Sequence, residues 1–342
     1  MKIQTMKTVD FPRSLANFLT KYLPGERGMS KNTIDSYRTT FILLISFMKE
    51  QKGIFPEKLV FNDLTKTIIE SFLNYLENDR LCSASTRNVR LAALHSFFKY
   101  VQYEWPEHLD ECRKILSIKV KKAKKGSMNY LTLEGIKLLL SQPDLSTSTG
   151  LRDLAMLALM YDTGCRVQEI IDLHPSSLRL NKPYTIKLVG KGNKARIVPL
   201  MENQVAHLKN YMSKNHLFEV YANMYPLFFN KRKEKLTRAG VTYILDKYLC
   251  MAKIQDSTLF QGKISCHSLR HSKAMHLLQA GVNLVYIRDI LGHTSVTTTE
   301  IYARADSKQK REAIENAYVD LVDKEIPVWV DNENLLSWLK NL

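Results

Sequence analysis

One short stretch limits the folds open to this chain, because it is the only convincing β-hairpin in a sequence that otherwise shows helical periodicity. Residues 184–200, YTIKLVGKGNKARIVPL, place alternating apolar side chains on both sides of a glycine-rich turn. Elsewhere apolar residues recur at helical spacing, as Tyr37, Phe41 and Leu44 do after a potential capping residue, Ser30. We therefore predict a mainly α chain with a small β-hairpin or sheet, an α+β fold.

The predicted helices form two groups, separated by a lysine-rich segment. The sequence of residues 1–118 predicts helices and no strands. The next segment has five lysines between positions 119 and 125, which form neither a helical nor a strand face. We predict a helical domain over 1–118, an exposed basic linker over 119–130 and a second domain over 131–342. For the end of the second domain, about 318–342, we predict an acidic tail whose last segment, ENLLSWLKNL, forms a helix with one apolar face.

The charge balance of the chain favours a polyanionic partner. Lysine and arginine number 50 against 34 aspartate and glutamate, a net charge of +16 over 342 residues. The alternative is a basic protein with no such partner. The five cysteines are scattered with no CxxC pair, and the chain has neither a secretory signal nor an apolar run of membrane-spanning length. We therefore expect a cytoplasmic protein in a reducing compartment.

Two basic stretches of the first half predict contacts with nucleic acid. The start of the helix SASTRNVRLAALHSFFKYV carries side chains that reach phosphates and base edges, namely Thr86, Arg87, Asn88 and Arg90. A solvated helix start explains these four residues equally well. The linker lysines Lys121, Lys122, Lys124 and Lys125 predict phosphate contacts, and their alternative role is solubility.

A later stretch, SCHSLRHSKAMHLLQAG, concentrates three histidines and an arginine on one predicted helix. His267 and His271 have the spacing of a zinc-binding HExxH helix, but Ser268 occupies the position of its glutamate and Arg270 adds a fixed positive charge. We therefore predict no metal site. The GKGNK turn, which closes the hairpin, lacks the Walker pattern, so no nucleotide cofactor is expected. The spacing of His267 and Arg270 instead suits phosphoryl transfer without a metal.

Five sequence boxes occur in a fixed order in the second half of the chain. They are TGCRVQEI (163–170), GKGNKARIVPL (190–200), HSLRH (267–271), LGH (291–293) and IYAR (301–304). Together they resemble the signature boxes of tyrosine recombinases, the integrase and Xer-like family. The resemblance implies a two-domain, C-shaped clamp, in which a helical, SAM-like core-binding domain precedes the catalytic domain. It also implies that the C-terminal tail, about 318–342, is exchanged between protomers, and the alternative is docking within its own chain.

The same resemblance implies a set of catalytic residues. These are Arg166, Lys191, His267, Arg270, His293 and Tyr302. Arg166 and Arg270 would hold the scissile phosphate, and Tyr302 would be the nucleophile. His267 would assist deprotonation of Tyr302, and His293 would donate a hydrogen bond at the site. Lys191 would protonate the leaving 5′-oxygen, with Lys194 as the competing candidate.

The resemblance also implies supporting residues. Glu169 matches the family's acidic residue and would orient His267, whereas His271 would have a structural role. Cations around Tyr302 would favour its phenolate. Cys165, beside Arg166, is expected to pack in the interior.

These roles imply a site-specific DNA recombinase that needs neither metal nor ATP and forms a 3′-phosphotyrosyl intermediate. The implied biological role is integration, excision or transposition of a mobile element. The expected partners are double-stranded DNA with an inverted-repeat site, a homotetramer on synapsed DNA formed from solution monomers, and accessory or sister recombinases, with no membrane. The alternatives are a type IB topoisomerase-like enzyme and a non-catalytic DNA-binding regulator descended from recombinases.

Overall fold

The chain forms two compact units, Met1–Gly126 and Ser127–Leu342. A computed structural model describes residues 10–123, 128–293, 295–305 and 335–341, apart from the side chains of residues 191, 303–305, 335, 336 and 338. The predicted domain boundaries remain predictions. Lys124, Lys125 and all of the acidic tail except residues 335–341 lie outside the described residues.

The first unit is helical throughout its described part. Its α-helices are α1 (Asp10–Asn17), α2 (Lys31–Lys52), α3 (Lys66–Asn78), α4 (Ala84–Glu104) and α5 (Leu109–Leu116), and a π-helical segment, Phe18–Glu26, follows α1. Three helices begin at residues whose hydroxyl groups accept a hydrogen bond from a backbone N–H of the first turn: Ser30, Thr65 and Ser83. Helix α2 ends at Gly53, which has a positive φ of 67°.

Aromatic rings from three segments meet in the core of the first unit. Phe97 of α4 packs edge-on against Phe18, with ring centroids 5.2 Å apart, and against Phe41 of α2 at 5.0 Å. All three rings are buried. Edge-to-face pairs of this kind add to the free energy gained by burial, so the apolar positions read from the sequence do form this core.

The second unit combines helices with one small antiparallel sheet. Its helices are α6 (Leu133–Leu140), α7 (Ser148–Thr163), α8 (Val167–Ile171), α9 (Glu202–Lys214), α10 (Arg238–Gln255), α11 (Cys266–Gln279), α12 (Leu284–Leu291), α13 (Glu300–Ala305) and α14 (Leu335–Lys340). The strands β1 (Leu178–Arg179), β2 (Thr185–Val189) and β3 (Ala195–Pro199) pair in that order. The predicted hairpin is β2–β3, in which Ile186 pairs with Val198.

Helix α7 lies in the interior of the second unit. Its residues Leu154–Met160 are all buried, so the helix is covered on every side. The predicted fold class, mainly α with a small sheet, is confirmed. Within the described ranges, no helix is both long enough and apolar enough to cross a bilayer.

Candidate active site

Arg166 lies at the junction between α7 and α8. Helix α7 ends at Gly164, whose φ of 56° lies in the left-handed region that favours glycine, and Arg166 then forms the N-cap of α8. The backbone N–H of Arg166 donates to Glu169 Oε2 at 2.9 Å, and its guanidinium Nη1 donates to Glu169 Oε1 at 2.7 Å. The Arg166 side chain remains 35% exposed. Glu169 of the TGCRVQEI box therefore holds both the backbone and the Nη1 of Arg166, while the side chain stays partly accessible to solvent.

Glu169 lies between two arginines. Its side chain is 3% exposed and accepts hydrogen bonds from Arg196 as well, with Arg196 Nη1 at 3.1 Å and Nη2 at 2.7 Å. The resemblance implied that Glu169 orients His267, but the hydrogen bonds of its carboxylate go to Arg166 and Arg196. A buried carboxylate needs charged donors to offset its lost hydration, and two guanidinium groups meet that need better than an imidazole.

Arg270 is enclosed by protein. It is 1% exposed, its Nη1 donates to Gly164 O at 2.6 Å, and its Nη2 donates to Leu291 O at 2.8 Å. Its Nε is buried and makes no hydrogen bond to any described residue. Burial, together with the positive charge of Arg166, lowers the pKa of Arg270 to about 10, so the side chain remains a cation at neutral pH.

Tyr302 contacts His271, the second histidine of the HSLRH box. Its hydroxyl lies 3.1 Å from His271 Nδ1. The rings of His271 and His267 are neighbours on α11, with centroids 4.4 Å apart. The resemblance assigned the role beside the nucleophile to His267 and a structural role to His271. The structure places His271 in hydrogen-bonding contact with Tyr302.

The ring of His293 also packs against Tyr302. The two rings are nearly parallel, with an interplanar angle of 8° and centroids 6.5 Å apart. His293 Nδ1 lies 2.9 Å from the hydroxyl of Thr299, which is itself buried. His293 follows Gly292, which ends α12 with a φ of 65°. A Cβ at Gly292 would lie 2.9 Å from the Arg196 side chain, so glycine is required by both conformation and space.

Burial determines the protonation of the aromatic cluster. Together with nearby positively charged groups, it lowers the pKa of His271 and of His293 to about 4, so both imidazoles are neutral at pH 7. Burial also lowers the pKa of His267. Tyr302 is 1% exposed, and burial raises the pKa of its phenol more than Arg270 and Arg166 lower it. The cations do favour the phenolate, but in the protein without DNA burial outweighs them.

A cleft of about 490 Å³ opens beside this cluster. Its lining includes Arg166, Lys194, Arg196, Arg288 and His293. Lys194 is exposed at the end of the hairpin turn. Lys191 begins that turn, but its side chain lies outside the described residues. The cleft therefore has a predominantly basic wall, and the choice between Lys191 and Lys194 stays open.

The candidate DNA contacts of the first unit are engaged in contacts within that unit. Arg87 is 5% exposed and donates to Lys119 O at 3.2 Å, and the Asn88 amide donates to Lys121 O at 2.7 Å. Arg90 donates to Ser36 O at 3.0 Å. Thr86 hydrogen-bonds within the helix start, while Lys121 and Lys122 are exposed. Their predicted DNA contacts remain predictions.

Two residues of the site were not predicted from the sequence. Arg196 belongs to the GKGNKARIVPL box, where attention fell on the lysines, and Thr299 belongs to the threonine-rich segment before Tyr302. The alternation of β3 gives the face of Arg196 but not its partner, because Glu169 lies 27 residues earlier in the chain. Thr299 carried no signal that distinguishes it from Thr297 and Thr298.

Known proteins resemble this chain over most of its length. Residues 129–309 match the phage integrase family, and residues 16–104 match the phage integrase N-terminal SAM-like domain. A putative integrase/recombinase of Sinorhizobium fredii, y4rC, is 35% identical over 96% of this chain and 97% of its own length. Tyrosine recombinase XerD of Listeria monocytogenes is 32% identical over 82% of this chain and 90% of its own.

A solved structure shows the same fold. The XerH site-specific recombinase, bound to palindromic difH substrate in a post-cleavage complex, has a TM-score of 0.65 and 24% identity, covering 84% of this chain and 81% of that one. The family match spans more than half of this chain, and the relatives align with nearly all of it. The chain therefore belongs to the phage integrase family, and it is a site-specific tyrosine recombinase.

Proposed function

We propose that this recombinase cuts and rejoins double-stranded DNA through nucleophilic attack by Tyr302. The observation that carries the proposal is the position of the Tyr302 hydroxyl, 3.1 Å from His271 Nδ1, in the same unit as Arg166 and Arg270. A tyrosine that is 1% exposed and in contact with two histidines has few roles in packing that phenylalanine would not serve. Its hydroxyl suits covalent catalysis.

Arg166 and Arg270 bind the scissile phosphate and stabilise its transition state. Arg166 lines the basic cleft, where its exposed guanidinium meets a phosphate oxygen. Arg270 has a buried Nε–H that no described residue accepts, and a phosphate oxygen would satisfy this donor. Because Tyr302 does not line the cleft and is almost fully buried, DNA binding must bring the phenol and the phosphate together.

The phenol proton passes to the histidine pair on α11. Burial raises the pKa of Tyr302, so a base must accept its proton as the bond to phosphorus forms. His271 is neutral at pH 7 and lies within hydrogen-bonding distance of the hydroxyl, and His267 lies beside it. His293 lines the cleft, where it hydrogen-bonds the phosphate.

The reaction forms one phosphodiester bond for each one it breaks. The Tyr302 oxygen bonds to phosphorus, the bond to the 5′-oxygen breaks, and that oxygen takes a proton from Lys191 or Lys194. The products are a 3′-phosphotyrosyl link and a free 5′-hydroxyl. Because the phosphodiester is conserved, the 5′-hydroxyl of a partner strand can reverse the step without ATP, and the arginines and the hairpin lysine take the place of a metal ion.

The proposed biological role is movement of a mobile element by integration, excision or transposition. Its support is the 35% identity to a putative integrase/recombinase over 96% of this chain. We propose that monomers bind an inverted-repeat site and assemble as a homotetramer on two synapsed duplexes, with accessory or sister recombinases as further partners. The proposed location is the nucleoid in a prokaryotic cytoplasm.

The first test is capture of the covalent intermediate. A binding site is selected from random duplexes with the Tyr302→Phe variant, and a nick is then placed a few nucleotides 3′ to the cut, so that the short fragment bearing the new 5′-hydroxyl is lost after cleavage. The wild-type chain in EDTA is expected to form a covalent protein–DNA adduct. A chain that binds the selected site but forms no adduct in any of the nicked duplexes would be a DNA-binding regulator, and the proposal would fail.

The second test separates recombination from DNA relaxation. Two supercoiled plasmids are compared, one with a single selected site and one with two. We expect exchange of the segment between paired sites and little relaxation of the single-site plasmid. Rapid relaxation of the single-site plasmid without any exchange product would instead identify a type IB topoisomerase-like activity.

A further inference from the structure

We propose that Arg196 is a positioning residue that maintains the phosphate-binding charge of Arg166 by neutralising Glu169. This inference rests on the proposed function. Arg196 projects from β3, the second strand of the hairpin, and its side chain is 10% exposed. Its Nη1 and Nη2 donate to the two carboxylate oxygens of Glu169, at 3.1 and 2.7 Å. A bidentate arginine–carboxylate pair of this kind fixes orientation as well as charge.

Glu169 would otherwise cancel the charge that a phosphate needs. Its carboxylate contacts the Arg166 guanidinium at 2.7 Å, so these two residues alone sum to zero charge. With Arg196 the cluster has two cations and one anion, a net charge of +1. Glu169 is 3% exposed, so little solvent screens the interaction. Arg196 thus allows Glu169 to hold Arg166 in place while the cluster still attracts an anion.

The contacts of Arg196 indicate that it positions other residues and does not itself bind DNA. Each of its nitrogens donates to protein: Nη1 and Nη2 to Glu169, and Nε to Ile290 O at 2.8 Å. The contact with Ile290 joins β3 to the end of α12. The Arg196 side chain also lies against Gly292, immediately before His293. One side chain therefore links the hairpin, Arg166 and the segment that carries His293.

A purely structural link and a charge-compensating residue differ in one measurable respect. If Arg196 acts by neutralising Glu169, its loss is harmful only while Glu169 is charged. Replacing both residues by glutamine leaves Arg166 as the only charged member of the cluster, with the same net charge of +1 as the wild type. Adjacent groups that act through each other are non-additive in a double-mutant cycle.

The test is a double-mutant cycle on the rate of adduct formation at saturating DNA. The variants are Arg196→Gln, Glu169→Gln, the double variant and Arg196→Lys, which retains the charge. Arg196→Gln is expected to slow the reaction about 10²-fold, as misplacement of a reacting group does. The double variant is expected to recover at least tenfold of that loss, and Arg196→Lys to stay within about tenfold of wild type.

Three results would overturn the proposal. One is a double variant as slow as Arg196→Gln or slower, which would make Arg196 a structural link or a direct phosphate ligand. Another is an Arg196→Gln variant with wild-type rate. The third result concerns the case in which Arg196→Gln does not fold. The double variant then serves as the test, because it leaves no buried charge unpaired. A rate of adduct formation about 10²-fold below wild type for this variant would contradict the proposal. Failure of the wild-type chain to form adduct would refute the proposed function instead.

Discussion

Arg87 of the first unit and Arg270 of the second both donate to backbone carbonyls, but the other groups near them differ. Arg87 donates to the backbone at Lys119, much as Arg270 donates to the backbone at Gly164 and Leu291. The side chain of Arg87 contacts the Asn88 amide and lies near the Glu77 carboxylate. The positive charge of Arg270, in contrast, lowers the pKa of His267 and of Tyr302. An arginine is therefore informative about chemistry only when a nucleophile and a proton acceptor lie beside it.

The first unit uses its basic residues to hold its own C-terminal segment in place. Asn88 and Lys121 exchange two hydrogen bonds, one from the Asn88 amide to Lys121 O and one from Lys121 N to Asn88 Oδ1 at 3.1 Å. Lys121 also pairs with Glu77 at 2.6 Å. These contacts explain the pattern of polar residues at the start of α4 without any ligand. The second unit places its polar residues around a cleft, so substitutions in the two units should have different consequences.

The largest difference is expected on removal of a cation from the second unit. Arg270→Ala or Arg166→Ala should slow adduct formation about 10²–10³-fold, because each removes a preorganised donor to the transition state. The measurement is the single-turnover rate at saturating DNA, with the exposed Arg113→Ala of the first unit as the matched control. Equal rates for the site variants and for this control would contradict the assigned roles.

Arg87→Met should affect the stability of the protein rather than its chemistry. The substitution leaves the Lys119 carbonyl without its side-chain donor and removes the positive charge 3.8 Å from Glu77, which costs about 1–3 kcal/mol of unfolding free energy. We expect a lower Tm in thermal unfolding, with the adduct rate at saturating DNA within a few-fold of wild type. A loss of two orders of magnitude in rate at unchanged Tm would place Arg87 at the reacting phosphate.

Acid should destabilise the second unit through two half-buried histidines, His271 and His293. The pKa of His271 and of His293 falls from the usual 6.5 to about 4 on folding, so between these values the unfolded chain binds more protons than the folded one. Stability should therefore decrease as pH falls from about 6.5 to 4 and should not depend on these groups above that window.

Thermal unfolding between pH 7.5 and 4.5 measures this effect. His271→Gln should flatten the pH dependence of Tm, whereas His216→Gln, at an exposed histidine, serves as the matched control. If both variants retain the full acid sensitivity of the wild type, protonation of His271 does not contribute to it.

The smallest expected effect concerns Lys121 and Lys122, two of the described lysines of the predicted linker. Both are exposed, but Lys121 pairs with Glu77, whereas the structure gives no ion pair for Lys122 with any described residue. Lys122→Gln should reduce the slope of log affinity against log salt by about 0.9 if the side chain meets one phosphate. Lys121→Gln should reduce it less. An unchanged slope for Lys122→Gln would leave the lysine a solubilising residue.

The sequence predicted the helices and the hairpin better than the contacts between side chains of different elements. Periodicity and caps placed α2, α4 and the hairpin, because those signals are local, and the five boxes brought together Arg166, Arg270, His293 and Tyr302. The partner of Glu169 and the raised pKa of Tyr302 were missed. Both depend on burial and on contacts between segments far apart in sequence, which no local pattern records.

The most direct measurement is identification of the residue that becomes linked to DNA. The adduct formed by the wild-type chain on a nicked duplex is digested with protease and nuclease, and the modified peptide is sequenced by mass spectrometry. We expect a phosphate-bearing nucleotide fragment on Tyr302, full adduct yield in EDTA, and no adduct from Tyr302→Phe, which should still shift the same duplex in a binding gel. A nucleotide on another residue, such as Tyr286, or an undiminished adduct from Tyr302→Phe, would show that the side chains around Tyr302 are not the cleavage site.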